Sequence, residues 1–219
     1  MVTNEELVYE LEAERDWRVA ELGKIKRLCR KIKDLDADEF EKLYLKMTIP
    51  MIYAHWEGYC VASFKILMEY INRKQIDARS VTFNILTYAN NVTYNSLQGK
   101  SSFPQRVEFS KKFIKILNEK VKLTEKLDTK SNLKYEVLQE ILQIFEMGEE
   151  DIVEYKSKLN VLVNTRNSIA HGENSILIDL EKMSESIDLV VTLIDIILLK
   201  QTQFAQNENF YLHEPLYPN

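Results

Sequence analysis

Arg166 and His171 stand with four residues between them in the stretch Thr165-Arg166-Asn167-Ser168-Ile169-Ala170-His171-Gly172. A guanidinium keeps its proton at any ordinary pH and presents a planar fork that fits phosphate oxygens. An imidazole exchanges protons near neutrality. Asn167 adds a neutral hydrogen bonder, and Asn167 and His171, four apart, share one face of a helix. A fixed cation beside a proton carrier suits a phosphodiester, whose cleavage needs charge neutralised and protons moved. The same residues also allow a purely structural reading, in which His171 and Gly172 cap a helix and Arg166 pairs with a carboxylate elsewhere.

The element that must position them is a helix predicted from about Asp151 to His171. Ile152, Tyr155, Leu159 and Leu162 form an apolar stripe at spacings of three and four, and its continuation lands on Arg166, Ile169 and Ala170. An arginine on that face is costly unless something meets its charge. Gly172 is the residue type expected just past a helix end. Five residues of helix rise about 7.5 Å and turn about 140°, so Arg166 has to reach along the helix toward His171.

Composition favours long helices around this one. The chain has 219 residues, 45% of them hydrophobic, with only five Gly and four Pro. A net charge of −5 supplies no global basic field for coating nucleic acid, though it leaves room for a local basic site. Two cysteines, Cys29 and Cys60, are too few for a disulfide framework and sit in helical apolar patterns, where buried thiols are expected. Nothing resembles a signal peptide, and the longest apolar run, 187–199, is broken by Asp188, Thr192 and Asp195. The expectation is a cytoplasmic protein without membrane contact, forming one domain over 1–219 with a core at about 5–206 and a tail at 207–219.

Along the chain, a first helix is predicted over 5–34 and a second over about 39–74, with a bend near Thr48 or two helices meeting there because of Pro50. Ile52, Trp56, Tyr59, Cys60, Phe64, Leu67 and Ile71 give the second helix a strong core stripe. His55 lies one position off that stripe, near Gly58; it reads either as a hydrogen-bonded packing residue or, with Glu57, as an accessory group at a site. Residues 75–108 suggest short strands or an irregular insertion, with a loop at Ser101–Pro104. A helix is predicted from Ser110 to Leu127, whose lysines 111, 112, 115, 120, 122 and 126 form either a solvated face or a groove for a polyanion. A short helix follows from Leu133 to Phe145, capped by Ser131 or Asn132. A last helix is predicted at about 180–206, and no function is placed on His213 in the tail. No phosphate-loop, paired-cysteine, HExxH or GxSxG pattern occurs, so neither a metal nor a cofactor is expected.

The stretch from Arg166 to Gly172 resembles the Arg-x4–6-His motif of the HEPN superfamily, the higher eukaryotes and prokaryotes nucleotide-binding domains. Trp17-Arg18, Tyr53-Ala54-His55-Trp56-Glu57-Gly58 and Ser131-Asn132-Leu133 resemble a prokaryotic branch of HEPN-like nucleases. The resemblance implies an all-α HEPN-like bundle of long antiparallel helices, irregular around 75–108, that forms a homodimer with the motifs facing each other. It also implies metal-independent endoribonuclease activity by 2′-OH attack, with Arg166 and His171 catalytic, Asn167 supporting them and RNA as the partner. By analogy the setting would be antiviral defence or a toxin–antitoxin pair, with a cognate antitoxin or a neighbouring defence protein as a further partner. The alternative is a non-catalytic HEPN module for nucleotide binding or partner docking. Pro50, just before the His55 block, departs from the expected pattern.

Overall fold

A computed structural model describes residues 3–33, 38–91, 102–124, 126–173 and 175–212. Parts of the expected break at 34–38, of the 75–108 insertion and of the tail, His213 included, lie outside these residues. Among the described residues the chain is all-α: α1 (Asn4–Lys33), α2 (Asp38–Arg73), α3 (Phe83–Ala89), α4 (Phe103–Leu117), α5 (Tyr135–Ile144), α6 (Lys156–Ala170) and α7 (Leu180–Gln206). It has no strand there, only isolated antiparallel bridges between Asp77 and Lys120 and between Val81 and Tyr211.

Three long helices, α1, α2 and α7, pack on one another around a continuous apolar core. Polar cross-links fix their directions. Arg15 bonds Asp195 at 2.5 Å and Lys26 bonds Asp188 at 2.7 Å, so α1 and α7 run antiparallel. His55 faces Glu21 and Arg73 faces Glu10, so α1 and α2 are antiparallel as well. Trp56, Tyr59, Phe64, Leu67, Leu193 and Ile197 are fully or almost fully excluded from water. Each such side chain contributes about 1.5–3 kcal/mol relative to exposure. Cys29 and Cys60 are buried free thiols, as the pattern suggested, and burial pushes both thiols up in pKa, Cys29 to about 11. The rings of Phe64, Phe145, Phe204 and Phe210 meet in sequence, the first pair stacked and the next two edge-on, so the chain after α7 docks on the core through Phe210.

α2 continues as one helix through Pro50, which removes the two-helix alternative. Thr48 turns its hydroxyl to the Leu45 carbonyl at 2.7 Å within the same stretch. The stretch 75–91 folds into a short 3-10 turn and α3 rather than strands, because the Thr82 side chain caps the N–H of Ile85. Phe103-Pro104 opens α4 instead of a loop: proline fits the first helical turn, and the Gln105 side chain accepts the N–H of Ser102 at 2.7 Å. α4 buries none of its residues and ends at Leu117, short of the predicted Leu127. Beyond it, Val121 and Leu123 are buried while Lys122 and Thr124 are exposed, the two-residue alternation of extended chain. The six lysines therefore do not share a helix face; Lys111, Lys112 and Lys115 lie on α4, and Lys120 is paired with Asp77 at 2.7 Å.

Among the described residues no helix is long and apolar enough to cross a membrane.

Candidate functional site at the end of α6

α6 lies against α2 and α5 and buries Leu159, Leu162 and Val163, the stripe that ends at Arg166. It stops where the sequence pattern stops. His171 is the C-terminal cap and donates its N–H to the Asn167 carbonyl at 2.9 Å. Gly172 donates to Ile169 and Glu173 to Ser168, both at 3.0 Å, the paired bonds of a Schellman motif. Gly172 has φ +80, and a Cβ there would meet nothing within 4 Å. Glycine is needed for its backbone angle and not for space. Lys46 of α2 donates to the Glu173 carbonyl at 2.7 Å, which ties the helix tip to the core. The His171 side chain is exposed and makes no bond or ion pair to a described residue.

Arg166 is half-buried and has no carboxylate partner among the described residues. Its guanidinium lies 3.9 Å from the centre of the Tyr53 ring, a cation–π contact worth about 0.5–2 kcal/mol. One terminal nitrogen donates to the Ser131 carbonyl at 3.2 Å, while Nε is buried without a partner. The charge is thus held in place but not neutralised. Tyr53 is itself fixed, its hydroxyl oxygen accepting the Leu133 N–H at 2.8 Å. Burial pushes the Tyr53 phenol up in pKa, against the lowering effect of that bond and of Arg166.

The wall opposite Arg166 is the turn 128–134. Lys130 and Ser131 both adopt left-handed backbone, at φ 51 and 56, which costs roughly 1–2 kcal/mol per residue away from glycine. Several contacts impose it. Trp56 Nε1 donates to the Leu133 carbonyl at 3.1 Å, and Thr129 donates to Glu57 at 2.8 Å. Asn167 donates to Asn132 Oδ1 at 2.8 Å, and Asn160 accepts the Tyr135 N–H at 3.0 Å. Ser131 and Asn132 therefore do not cap α5, whose cap residue is Lys134. They face α6 and receive Arg166 and Asn167.

Arg166, Asn167 and His171 all lie on the last turns of α6: Arg166 and Asn167 reach the turn 128–134, which Glu57 helps to hold, while the His171 side chain touches neither of them. His55 does not join them. It is buried against α1, with its ring 5.6 Å from that of Trp17 and Nε2 3.7 Å from Glu21. Burial lowers its pKa, Glu21 opposing and Arg18 adding to that shift. Tyr53 and the Ser131 carbonyl are the site residues that sequence reasoning missed. Both were inside quoted blocks, but nothing local signals that a tyrosine face will carry an arginine from a helix more than a hundred residues on. Among the described residues no group of three or more His, Cys, Asp or Glu side chains is placed to hold a metal ion.

A family model for RiboL-PSP-HEPN matches residues 13–199. The chain belongs to the RiboL-PSP-HEPN family. Membership places it among nuclease or RNA-related modules and agrees with the all-α bundle described above. No curated protein and no solved structure matches it.

Proposed function

We propose that this HEPN protein is an endoribonuclease, with Arg166 and His171 as its catalytic residues. The observation that carries the reading is the state of Arg166: stacked on Tyr53, bonded once to Ser131, short of one hydrogen-bond partner and without a carboxylate among the described residues. A structural arginine on a packed face is normally neutralised. This one is oriented and left able to take an anion.

In the proposed reaction the ribose 2′-oxygen attacks the adjacent phosphorus and the P–O5′ bond breaks, leaving a 2′,3′-cyclic phosphate and a 5′-hydroxyl. A proton leaves the 2′-hydroxyl and one is delivered to O5′, and His171 serves this transfer. Arg166 neutralises charge that builds on the non-bridging oxygens. Asn167, engaged with Asn132, keeps the helix end in register with the turn. The reaction needs no metal ion, and the protein acts as a pair of copies on RNA inside the cell, in a defence or toxin-type role.

The test is cleavage of RNA by the purified protein in EDTA, with product ends identified by their resistance to or need for phosphatase treatment. His171→Ala should abolish cleavage while keeping the helical content and oligomeric state. Equal cleavage by wild type and variant would remove His171 from the mechanism.

A further inference from the structure

α3 and α5 pack side by side with facing stripes of opposite character. On α5, helical spacing brings Val137, Ile141 and Ile144 onto one apolar face. On α3 the same spacing falls on Asn84, Thr87 and Tyr88. Two apolar stripes would close on each other; these leave a cleft of about 480 Å³, a size common among ligand sites. Leu127 and Ile141 are its buried floor. Its walls are pinned from α3, where Asn84 donates to the Gln143 carbonyl at 2.7 Å and the Tyr88 hydroxyl to the Lys126 carbonyl at 3.2 Å.

The lining selects the chemistry of an occupant. Its charged groups are Asp128, Lys130 and Glu140, and Lys130 is already paired with Glu140. One lysine against two carboxylates leaves no spare cation, so the cleft disfavours a phosphate. An apolar floor, a tyrosine ring, and amide and hydroxyl groups at the edges suit a flat, uncharged heterocycle with polar edges. Asp128 uses one oxygen to accept the Lys130 N–H at 2.9 Å. Its other oxygen has no bond to a described residue and can accept from an amino group.

The cleft adjoins the end of α6 through the turn 128–134. Asp128 and Lys130 line the cleft, while Ser131 and Asn132, next along the turn, meet Arg166 and Asn167. Asp128 and Ser131 are three residues apart, at most about 10 Å of chain. The junction is the left-handed pair Lys130 and Ser131, and such strained backbone gathers at ligand clamps. One turn thus joins a place for an anion to a place for a neutral heterocycle, the two parts of a nucleotide. We propose that the cleft between α3 and α5 receives an unpaired RNA base bearing an exocyclic amino group, from a nucleotide flanking the cleaved bond. As a determinant of where RNA is cut, it rests on the nuclease reading. A base held in a duplex cannot enter, so the cleft confines cleavage to loops and single strands. Adenine, cytosine and guanine carry an amino group for Asp128 to accept, whereas uracil presents carbonyl oxygens to the two carboxylates.

The experiment uses the full chain and separates base from phosphate. Adenosine, cytidine, guanosine and uridine are titrated singly and followed by NMR, so that no phosphate takes part. At least one of the three amino-bearing nucleosides should bind, and uridine about 10-fold more weakly, the discrimination of one hydrogen-bonded base edge. Asp128→Asn keeps an oxygen for the Lys130 N–H but adds an amide donor, and should bring uridine within about 3-fold of the others. Thr87→Trp, at an exposed position of the cleft wall, should abolish binding of every nucleoside with unchanged helicity; should helicity change, Asp128→Asn alone decides. On single-stranded RNA of mixed sequence, wild type should cut beside A, C or G about 10-fold faster than beside U. Asp128→Asn should lose that preference. Absence of nucleoside binding, uridine bound by wild type as well as the others, binding unaltered by the substitutions, or cleavage without base preference would overturn the proposal. Nucleoside binding that follows the substitutions in a protein that never cuts RNA would leave the base site standing and overturn the nuclease reading.

Discussion

Two arginine–histidine couples flank α2, built from the same residue types and put to different use. Tyr53 and His55 are two residues apart and so point about 160° away from each other around the helix. On the Tyr53 side, Arg166 lacks a carboxylate partner among the described residues and His171 stands exposed at a helix end. On the His55 side, Arg18 is 6% exposed, bonded to the Glu14 side chain and, at 2.8 Å, to the Glu14 carbonyl. It lies over Gly58, where a Cβ would come within 3.4 Å of its guanidinium, and 4.2 Å from the centre of the Trp17 ring. His55 is buried between Trp17 and Glu21. The difference teaches that residue type does not assign chemistry. A cation already answered by a carboxylate and sealed between helices serves packing, whereas one held by a ring face and a carbonyl can still accept an anion.

The comparison breaks most sharply on substitution of the two arginines. Arg166→Ala should slow RNA cleavage by about 1,000-fold, the loss typical of removing one electrostatic stabiliser. It should cost only about 1 kcal/mol of stability, since only the stacking contact and one hydrogen bond are lost. Arg18→Ala should do the reverse. It removes a packed stem from over Gly58 and leaves Glu14 without its partner, for about 2–4 kcal/mol of stability. Cleavage per folded molecule should stay within a few-fold. Urea unfolding and a cleavage assay on both variants decide the matter. A large stability loss from Arg166→Ala with little change in rate would invert the assignment of the two couples.

Gly172→Ala sharpens the contrast at the helix end. With φ at +80 and no neighbour within 4 Å, the methyl group meets no obstacle, and the cost is backbone strain of about 1 kcal/mol. The strain is relieved by moving the cap, so His171 shifts and cleavage falls further than stability does. Gly172→Asn should retain more of both, because asparagine tolerates the left-handed region better. Equal rates for wild type and Gly172→Ala would show that the placement of His171 does not depend on this motif.

The end of α6 was legible because its signals are local: an apolar stripe, then Gly172. The core stripe of α2 from Ile52 to Ile71 was legible for the same reason. The site's other half was not. Ser131 and Asn132 precede a helix and are good capping residues, so local rules read a cap; their true partners, Arg166 and Asn167, are 35 residues away. Tyr53 looks like any core aromatic until α6 is laid on it. The chain after Leu117 reads as helical because Val121 continues the three-and-four spacing of Phe113, Ile114 and Leu117; only the alternation of Val121, Lys122 and Leu123 marks it as extended.

The smallest expected effect lies in the closed couple and depends on pH. Burial lowers the His55 pKa below its ordinary value, with Arg18 adding to the shift and Glu21 opposing it. The native state therefore favours neutral His55, and the unfolded chain binds the proton more readily. Stability from this group is fully present above the unfolded pKa of about 6.5. It is lost as pH falls through that value toward the lower folded pKa, and levels off beneath it. Unfolding measured at pH 7.5 and at 5.5 should show wild type losing stability on acidification, and His55→Gln losing less. If His55→Gln lost as much stability on acidification as wild type, His55 would not be held neutral by burial between α1 and α2, and the closed side of α2 would lose its titrating group.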